Sequence, residues 1–166
     1  SESTYVTVTD NTVIMEDETT TVKVSKTAVG GNTELAGAAL TITHEDASVP
    51  GGIVTDADWI SDGITPYTVT GLTVGVEYTL TEVTSPNGYA VAESINFIIQ
   101  PDGSVKAKKA SESTYVTVTD NTVIMEDETT AVKVSKTTVG GNAELAGAAL
   151  TITHEDASVP GGIVTD

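Results

Sequence analysis

The chain has no cysteine, which excludes a disulfide framework and any cysteine-ligated metal site. Basic residues are few. Seven Lys plus Arg stand against 24 Asp plus Glu, for a formal net charge of −17. A phosphate backbone requires a basic footprint, so nucleic acid is excluded as a partner. An anionic membrane surface is disfavoured for the same reason. No apolar run approaches the roughly 18 residues that a membrane-spanning helix needs, so membrane insertion is not expected of this stretch. No leader-like segment opens the sequence. Leu is scarce, whereas Thr, Val and Gly are abundant, a composition that favours strands over helices. The acidity fits a solvated extracellular surface.

An internal repeat dominates the chain. Residues 1–56 recur at 111–166 with three changes: Thr21 becomes Ala131, Ala28 becomes Thr138 and Thr33 becomes Ala143. The period of 110 residues is the size of a domain, far above the roughly 20–50 residues of a solenoid unit. Each period can therefore bury its own core, giving modules in tandem. The acidic, Thr-rich stretch Glu126 to Thr130, copied at Glu16 to Thr20, separates strand-like runs and reads as a linker. The expected organisation is one complete module at 21–130. Residues 1–20 are then the last strands of a preceding repeat, and 131–166 the first strands of a following one.

Short strand patterns separated by turn chemistry fill the module. Val22–Lys26 is closed by Gly30-Gly31-Asn32, and Ala38–His44 is followed by a loop through Pro50-Gly51-Gly52. Tyr67–Thr70 and Val76–Val83 follow, the latter stopped by Ser85-Pro86-Asn87-Gly88. Ile95–Ile99 is stopped by Pro101-Asp102-Gly103, and Ser104–Lys108 comes next. Tyr115–Thr119 and Thr122–Glu126 predict a hairpin around Asp120-Asn121. Strands at this spacing indicate an all-β sandwich.

Side chains alternate faces along a strand, and the alternation exposes three anomalies. Lys26 shares a face with Val22 and Val24, Glu82 with Val76, Tyr78 and Leu80, and Asp127 with Val123 and Met125. An amine and two carboxyl groups thus end three apolar stripes. Each is expensive to bury alone, but together they compensate one another. An apolar pocket favours the neutral forms of such groups, and a neutral amine is a nucleophile. A protonated Glu82 can polarise the Asp127 carboxyl and shuttle protons. Attack of the Lys26 amine on Asp127 would then expel water and leave an amide, with proximity in the fold supplying the effective concentration. On spacing alone, an uncrosslinked ion network remains the alternative.

The text VKVSK at 22–26, ELAGAALTI at 34–42, WISDG at 59–63, YTLTEVTSPNGYAVAESINFII at 78–99, PDGSV at 101–105 and NTVIMED at 121–127 spans nearly the whole period in order. It resembles the collagen-adhesin B-type (CnaB-like) modules of Gram-positive surface proteins and pilins. The resemblance implies an Ig-like or prealbumin-like Greek-key β-sandwich repeated in tandem. It also implies an autocatalytic isopeptide bond, with Lys26 as the amine, Asp127 as the acceptor and Glu82 as the catalytic acid. Many modules of that family carry Asn at the acceptor, so here water would leave in place of ammonia. Asn121 is a rival acceptor, ranked below Asp127 because it falls in the predicted hairpin turn. Asp17 and Lys136 are the repeat copies of acceptor and amine, expected to be unpaired in this chain.

Other motifs carry less. Asp56, Asp58 and Asp62-Gly63 faintly resemble a calcium loop, but Ile60 stands where an oxygen ligand is needed and no Glu follows at the required distance, so a solvated acidic loop is expected. His44 is isolated, so no metal site is expected. Trp59, Tyr67, Tyr78 and Tyr89 read as core and corner residues. No phosphate-binding Gly-rich loop and no interpretable Ser/His/Asp set appears. The leading expectation is therefore a structural stalk repeat of a surface adhesin or pilus-like fibre on a bacterial cell, not an enzyme and without a cofactor. Its partners would be adjacent identical repeats, with any host or matrix ligand bound through another domain. The alternatives are a directly adhesive ligand-binding module or a sortase-assembled pilin. No YPK lysine motif or LPxTG-type signal supports the pilin alternative within these residues.

Overall fold

The structure is a computed structural model that describes residues 5–9, 12–16, 19–155 and 163–165. Its elements fall into two units, one up to Thr130 and one from Ala131.

In the first unit, β1 (Tyr5–Thr9) and β2 (Thr12–Glu16) form a two-stranded hairpin by themselves. The remaining strands are β3 (Thr21–Ala28), β4 (Ala36–Glu45), β5 (Ile53–Asp62), β6 (Tyr67–Thr70), β7 (Glu77–Thr84), β8 (Ile95–Ile99), β9 (Val105–Lys109), β10 (Val116–Thr117) and β11 (Thr122–Asp127). They form two sheets. One is antiparallel, in the order β10-β9-β8-β7-β4-β5. The other has the order β11-β3-β6, with β6 antiparallel and β11 parallel to β3.

The core follows the alternation of the strands. The larger sheet buries Ala38, Leu40, Ile42, Tyr78, Leu80, Ile95, Phe97, Ile99, Val105 and Ala107, and the smaller sheet buries Val22, Val24, Val69, Val123 and Met125. At roughly 1.5–3 kcal/mol for each large apolar side chain removed from water, this layer is the main favourable term in the fold. Tyr78 reaches a polar partner at its tip, where the Thr73 N–H donates to its hydroxyl at 2.8 Å. The all-β sandwich expectation therefore holds, as do the turns after Ala28, at Pro86-Asn87-Gly88 and at Pro101-Asp102-Gly103.

Two expectations about the strands do not hold. The acidic stretch around Asp56, Asp58 and Asp62 is not a loop but most of β5, a ten-residue strand. As the outer strand of its sheet, β5 tolerates charge on its exposed face, and such charge guards an open edge. Ala57 and Trp59 turn inward against the core, and a register shift at Ile42/Thr43 changes the phase of the pattern. Asp56 pairs with His44 at 2.8 Å. The strand ends at Gly63, whose φ is +72° and whose added Cβ would lie 2.8 Å from the Ala36 Cβ. Glycine alone allows this approach without a shift.

The second difference concerns the end of the module. Residues 115–126 do not form a hairpin. Val116–Thr117 pairs with Lys106–Ala107 of β9, and Thr122–Asp127 crosses to the other sheet beside Lys23–Ala28. The crossing is a short 3-10 turn in which Asp120 and Asn121 are both left-handed, at φ 49° and 52°. Asn and Asp tolerate that conformation better than other non-glycine residues. The identical residues Tyr5–Glu16 do pair with one another, from Tyr5↔Glu16 to Thr9↔Thr12. Beyond β11 the chain is held against the loop at Gly88 to Ala90. Ala90 N–H donates to Glu128 C=O and Thr130 N–H to Gly88 C=O, both at 2.8 Å.

In the second unit, β12 (Thr153–Glu155) and β13 (Ile163–Thr165) pair antiparallel. Their register, Thr153↔Thr165 to Glu155↔Ile163, reproduces Thr43↔Thr55 to Glu45↔Ile53 of the first unit.

Candidate functional site

Lys26, Glu82 and Asp127 meet between the two sheets. Lys26 and Asp127 lie on adjacent parallel strands, β3 and β11. Lys26 is opposite Met125, so Asp127 is one inward-facing position further along. A long side chain leaning along its strand spans that diagonal. Glu82 comes from β7 in the other sheet, in the same buried stripe as Tyr78 and Leu80.

Lys26 Nζ contacts Asp127 Oδ1 and lies 3.4 Å from Glu82 Oε1. The side chains are at most 1% exposed. Glu82 Oε2 accepts the Ala92 N–H at 2.7 Å, which fixes the carboxyl while leaving Oε1 toward the lysine. Burial pushes the Glu82 carboxyl above its ordinary range, with the neighbouring Asp127 adding to the rise. The Ala92 N–H and the Lys26 charge oppose it without cancelling it.

Lys26 Nζ, Glu82 Oε1 and both Asp127 carboxyl oxygens are buried and make no hydrogen bond of ordinary geometry, so the polar contacts of the amine are the two ion contacts with these carboxyl groups. Buried polar atoms in a native core are almost always satisfied, so the amine and the two carboxyl groups depend on one another here. Joining the amine to the carboxyl as an amide replaces two charged or strongly polar groups by one N–H and one C=O, which removes most of the deficit.

The other residues singled out by sequence lie elsewhere. Asn121 is in the crossover turn, where its Nδ2 donates to Gly103 C=O at 2.9 Å. That interaction fixes the turn and leaves Asp127 facing the lysine. Lys136 is exposed, and Asp17 lies outside the described residues. Among the described residues, no group of three or more His, Cys, Asp or Glu is placed to hold a metal ion. Of the aromatics, Tyr78 is fully buried, whereas Tyr67 is 39% exposed and stacks on half-buried Trp59 at 4.2 Å and 8°. These two rings, with Lys26, Glu34 and Asp62, help to line a cavity of about 300 Å³. The sequence reading passed over two groups that fix the site, the Ala92 N–H and the Glu34 carboxylate. Backbone donors leave no trace in sequence. In the sequence, Glu34 stood out only as the first residue of the ELAGAALTI stretch, just beyond the Gly30-Gly31-Asn32 turn that follows the lysine strand.

A family profile described as the SpaA prealbumin-like fold domain matches residues 20–114, a stretch that includes Lys26 and Glu82 and ends before Asp127. Among solved structures, the pilus adhesin RrgA from Streptococcus pneumoniae is 17% identical with a TM-score of 0.53, over 72% of this chain and 16% of its own. The pilus-presented adhesin Cpa is 32% identical over 55% of this chain and 20% of its own, with a TM-score of 0.44. The pilus adhesin SpaC from Lactobacillus rhamnosus GG is 18% identical over 72% of this chain and 16% of its own, with a TM-score of 0.48. The chain thus spans about a fifth or less of the length of these three solved adhesins. No curated protein matches it. The fold and the profile agree, and the chain belongs to the SpaA family of prealbumin-like fold domains.

Proposed function

We propose that this chain is a stretch of the stalk of a bacterial surface adhesin or pilus-like fibre, whose module at 21–130 is locked by its own amide bond between Lys26 and Asp127. The observation that carries this reading is the contact of Lys26 Nζ with Asp127 Oδ1, beside Glu82, in a fully buried site. The family and the pilus adhesins among its solved relatives support an extracellular place on a Gram-positive cell.

In the reaction, Lys26 gives a proton to the Asp127 carboxylate within their contact, and the amine so formed attacks the Asp127 carboxyl carbon. Protonated Glu82 donates to an Asp127 oxygen and stabilises the charge that develops there. The N–C bond forms, the C–O bond breaks, and one amine proton joins the departing hydroxyl by way of Glu82, releasing water. The reaction turns over once and has no external substrate.

The topology gives the bond its use. Tension along an array enters the module at β3 and leaves after β11. With Lys26 joined to Asp127, load passes along β3, across the amide and out beyond Asp127, so the roughly 100 residues between are spared. By analogy with a disulfide closing a loop of that length, the link stabilises by about 4–5 kcal/mol. In a cysteine-free chain it does so independently of redox state. Intact mass with peptide mapping tests the reading. The expected chain is lighter by one water and yields a branched peptide joining Lys26 to Asp127; an unshifted mass refutes it.

A further inference from the structure

Lys26 must present its amine to Asp127 from a strand that is only half paired at that point. On one side β11 accompanies β3 from Lys23 to Ala28, but on the other β6 stops at the Val24↔Tyr67 pair. The backbone of Lys26 is therefore left without a strand partner on that side. A side chain takes the place of the missing strand. Glu34 Oε2 accepts the Lys26 N–H at 2.8 Å, and Glu34 Oε1 accepts the Ser25 hydroxyl at 2.5 Å. The next residue completes the arrangement, as Leu35 N–H donates to Lys26 C=O at 2.7 Å. Both polar backbone groups of the reacting residue are thus held by two consecutive residues across one turn.

The second unit shows that this clasp is local. Glu144 accepts the Ser135 hydroxyl and, at 3.0 Å, the Lys136 N–H, while Leu145 N–H donates to Lys136 C=O at 2.7 Å. Lys136 is exposed there, and residues 131–166 include no counterpart of 57–110. The clasp therefore needs only the segment from Ser25 to Leu35, not the closed sandwich.

We infer that Glu34 is a positioning residue for the Lys26–Asp127 reaction, acting through the Lys26 backbone and set before the last strand arrives; this rests on the proposal that those two residues join. Glu34 has no contact with the reacting atoms. Its carboxylate holds the Lys26 backbone on the side that β6 does not reach, next to the Thr27↔Glu34 bridge, and this decides how well Nζ reaches the Asp127 carbon. A misplacement of about 1 Å at a reacting centre can cost on the order of 100-fold in rate. Glutamine keeps an oxygen for the Lys26 N–H and an amide for the Ser25 oxygen, which both donates and accepts; alanine keeps neither.

The test follows bond formation in the full chain as it is made. Cell-free synthesis is pulse-labelled and quenched into denaturant at intervals, and the fraction lighter by one water is read by intact mass. Expected results are a slowing of roughly 10-fold or more for Glu34→Ala, recovery to within about 3-fold of the parent rate for Glu34→Gln, and no change for Glu144→Ala. Because loss of folding alone could slow Glu34→Ala, the decisive arm is Glu34→Gln. If it is as slow as Glu34→Ala, or if both match the parent rate, the positioning role is overturned although the bond itself stands. A parent chain that never loses water overturns the bond and the role together.

Discussion

Replacing Glu82 by Gln separates the chemistry of the site from its packing. Glutamine has the same size, and its oxygen can still accept the Ala92 N–H that now reaches Glu82 Oε2 at 2.7 Å. The acid proton is lost, so Lys26 and Asp127 stay in contact but do not join. The unfolded chain then regains the freedom of a loop of about 100 residues, worth about 4.7 kcal/mol at 25 °C in the chain-entropy account. A domain of this size shifts in melting temperature by about 4 °C or more per kcal/mol, so Glu82→Gln should melt roughly 20 °C below the parent. The only tryptophan, Trp59, stacks on Tyr67 between the edge strands of the two sheets, and its fluorescence reports the melt. Intact mass of the same samples should show the parent, and not the variant, lighter by one water. A variant that also loses water shows that Glu82 does not supply the proton. A variant that keeps its water yet melts within a few degrees of the parent refutes the account of what the bond contributes.

Three further outcomes are expected. In Lys26→Met no bond can form and the charge opposing the rise in Glu82 is gone, so the buried carboxyl holds its proton above the ordinary value of 4.5. The native state then binds more protons than the unfolded one, and stability, complete below that value, declines as the pH rises through the raised one; urea midpoints across pH that stay flat or climb contradict this. Gly63→Ala forces a side chain into a positive-φ position with its Cβ 2.8 Å from Ala36 and should cost about 1–3 kcal/mol in urea unfolding. Tyr115→Phe removes the 2.6 Å bond to Glu77 while keeping the ring under Lys108, for a loss of about 1 kcal/mol by the same measurement. In the parent, burial and the Glu77 carboxylate push the Tyr115 phenol above its ordinary range, so absorbance titration should show a tyrosine that resists ionisation and is missing from Tyr115→Phe.

Much of the site was legible because burial follows a two-residue period in strands. Lys26, Glu82 and Asp127 each continue an apolar stripe, and all three are buried. Other parts were not legible, for specific reasons. An edge strand such as β5 needs only one inward face, so Asp56, Asp58 and Asp62 obscured it as a strand. Glu34 acts on a backbone N–H, which every residue but proline possesses, so no residue pattern marks its target. The distance between Lys26 and Asp127 depends on the parallel pairing of β3 with β11, strands separated by most of the module.

The repeated segment draws the line most sharply. Residues 1–20 and 111–130 are identical, so both carry the same strand-forming alternation. It does not determine the partner. In one copy Thr12–Glu16 folds back on Tyr5–Thr9, and in the other Thr122–Asp127 lies beside β3 with Asp127 against Lys26. A hairpin satisfies the backbone locally, but two strands alone make a marginal structure. For 111–130, the open edge of β3 and the core offer burial for Val123 and Met125, and that gain moves the strand across. The residues able to form the bond are written in the sequence; only the packed sandwich places them in contact, because only it supplies the neighbouring strand and the apolar interior that an amine and two carboxyl groups require.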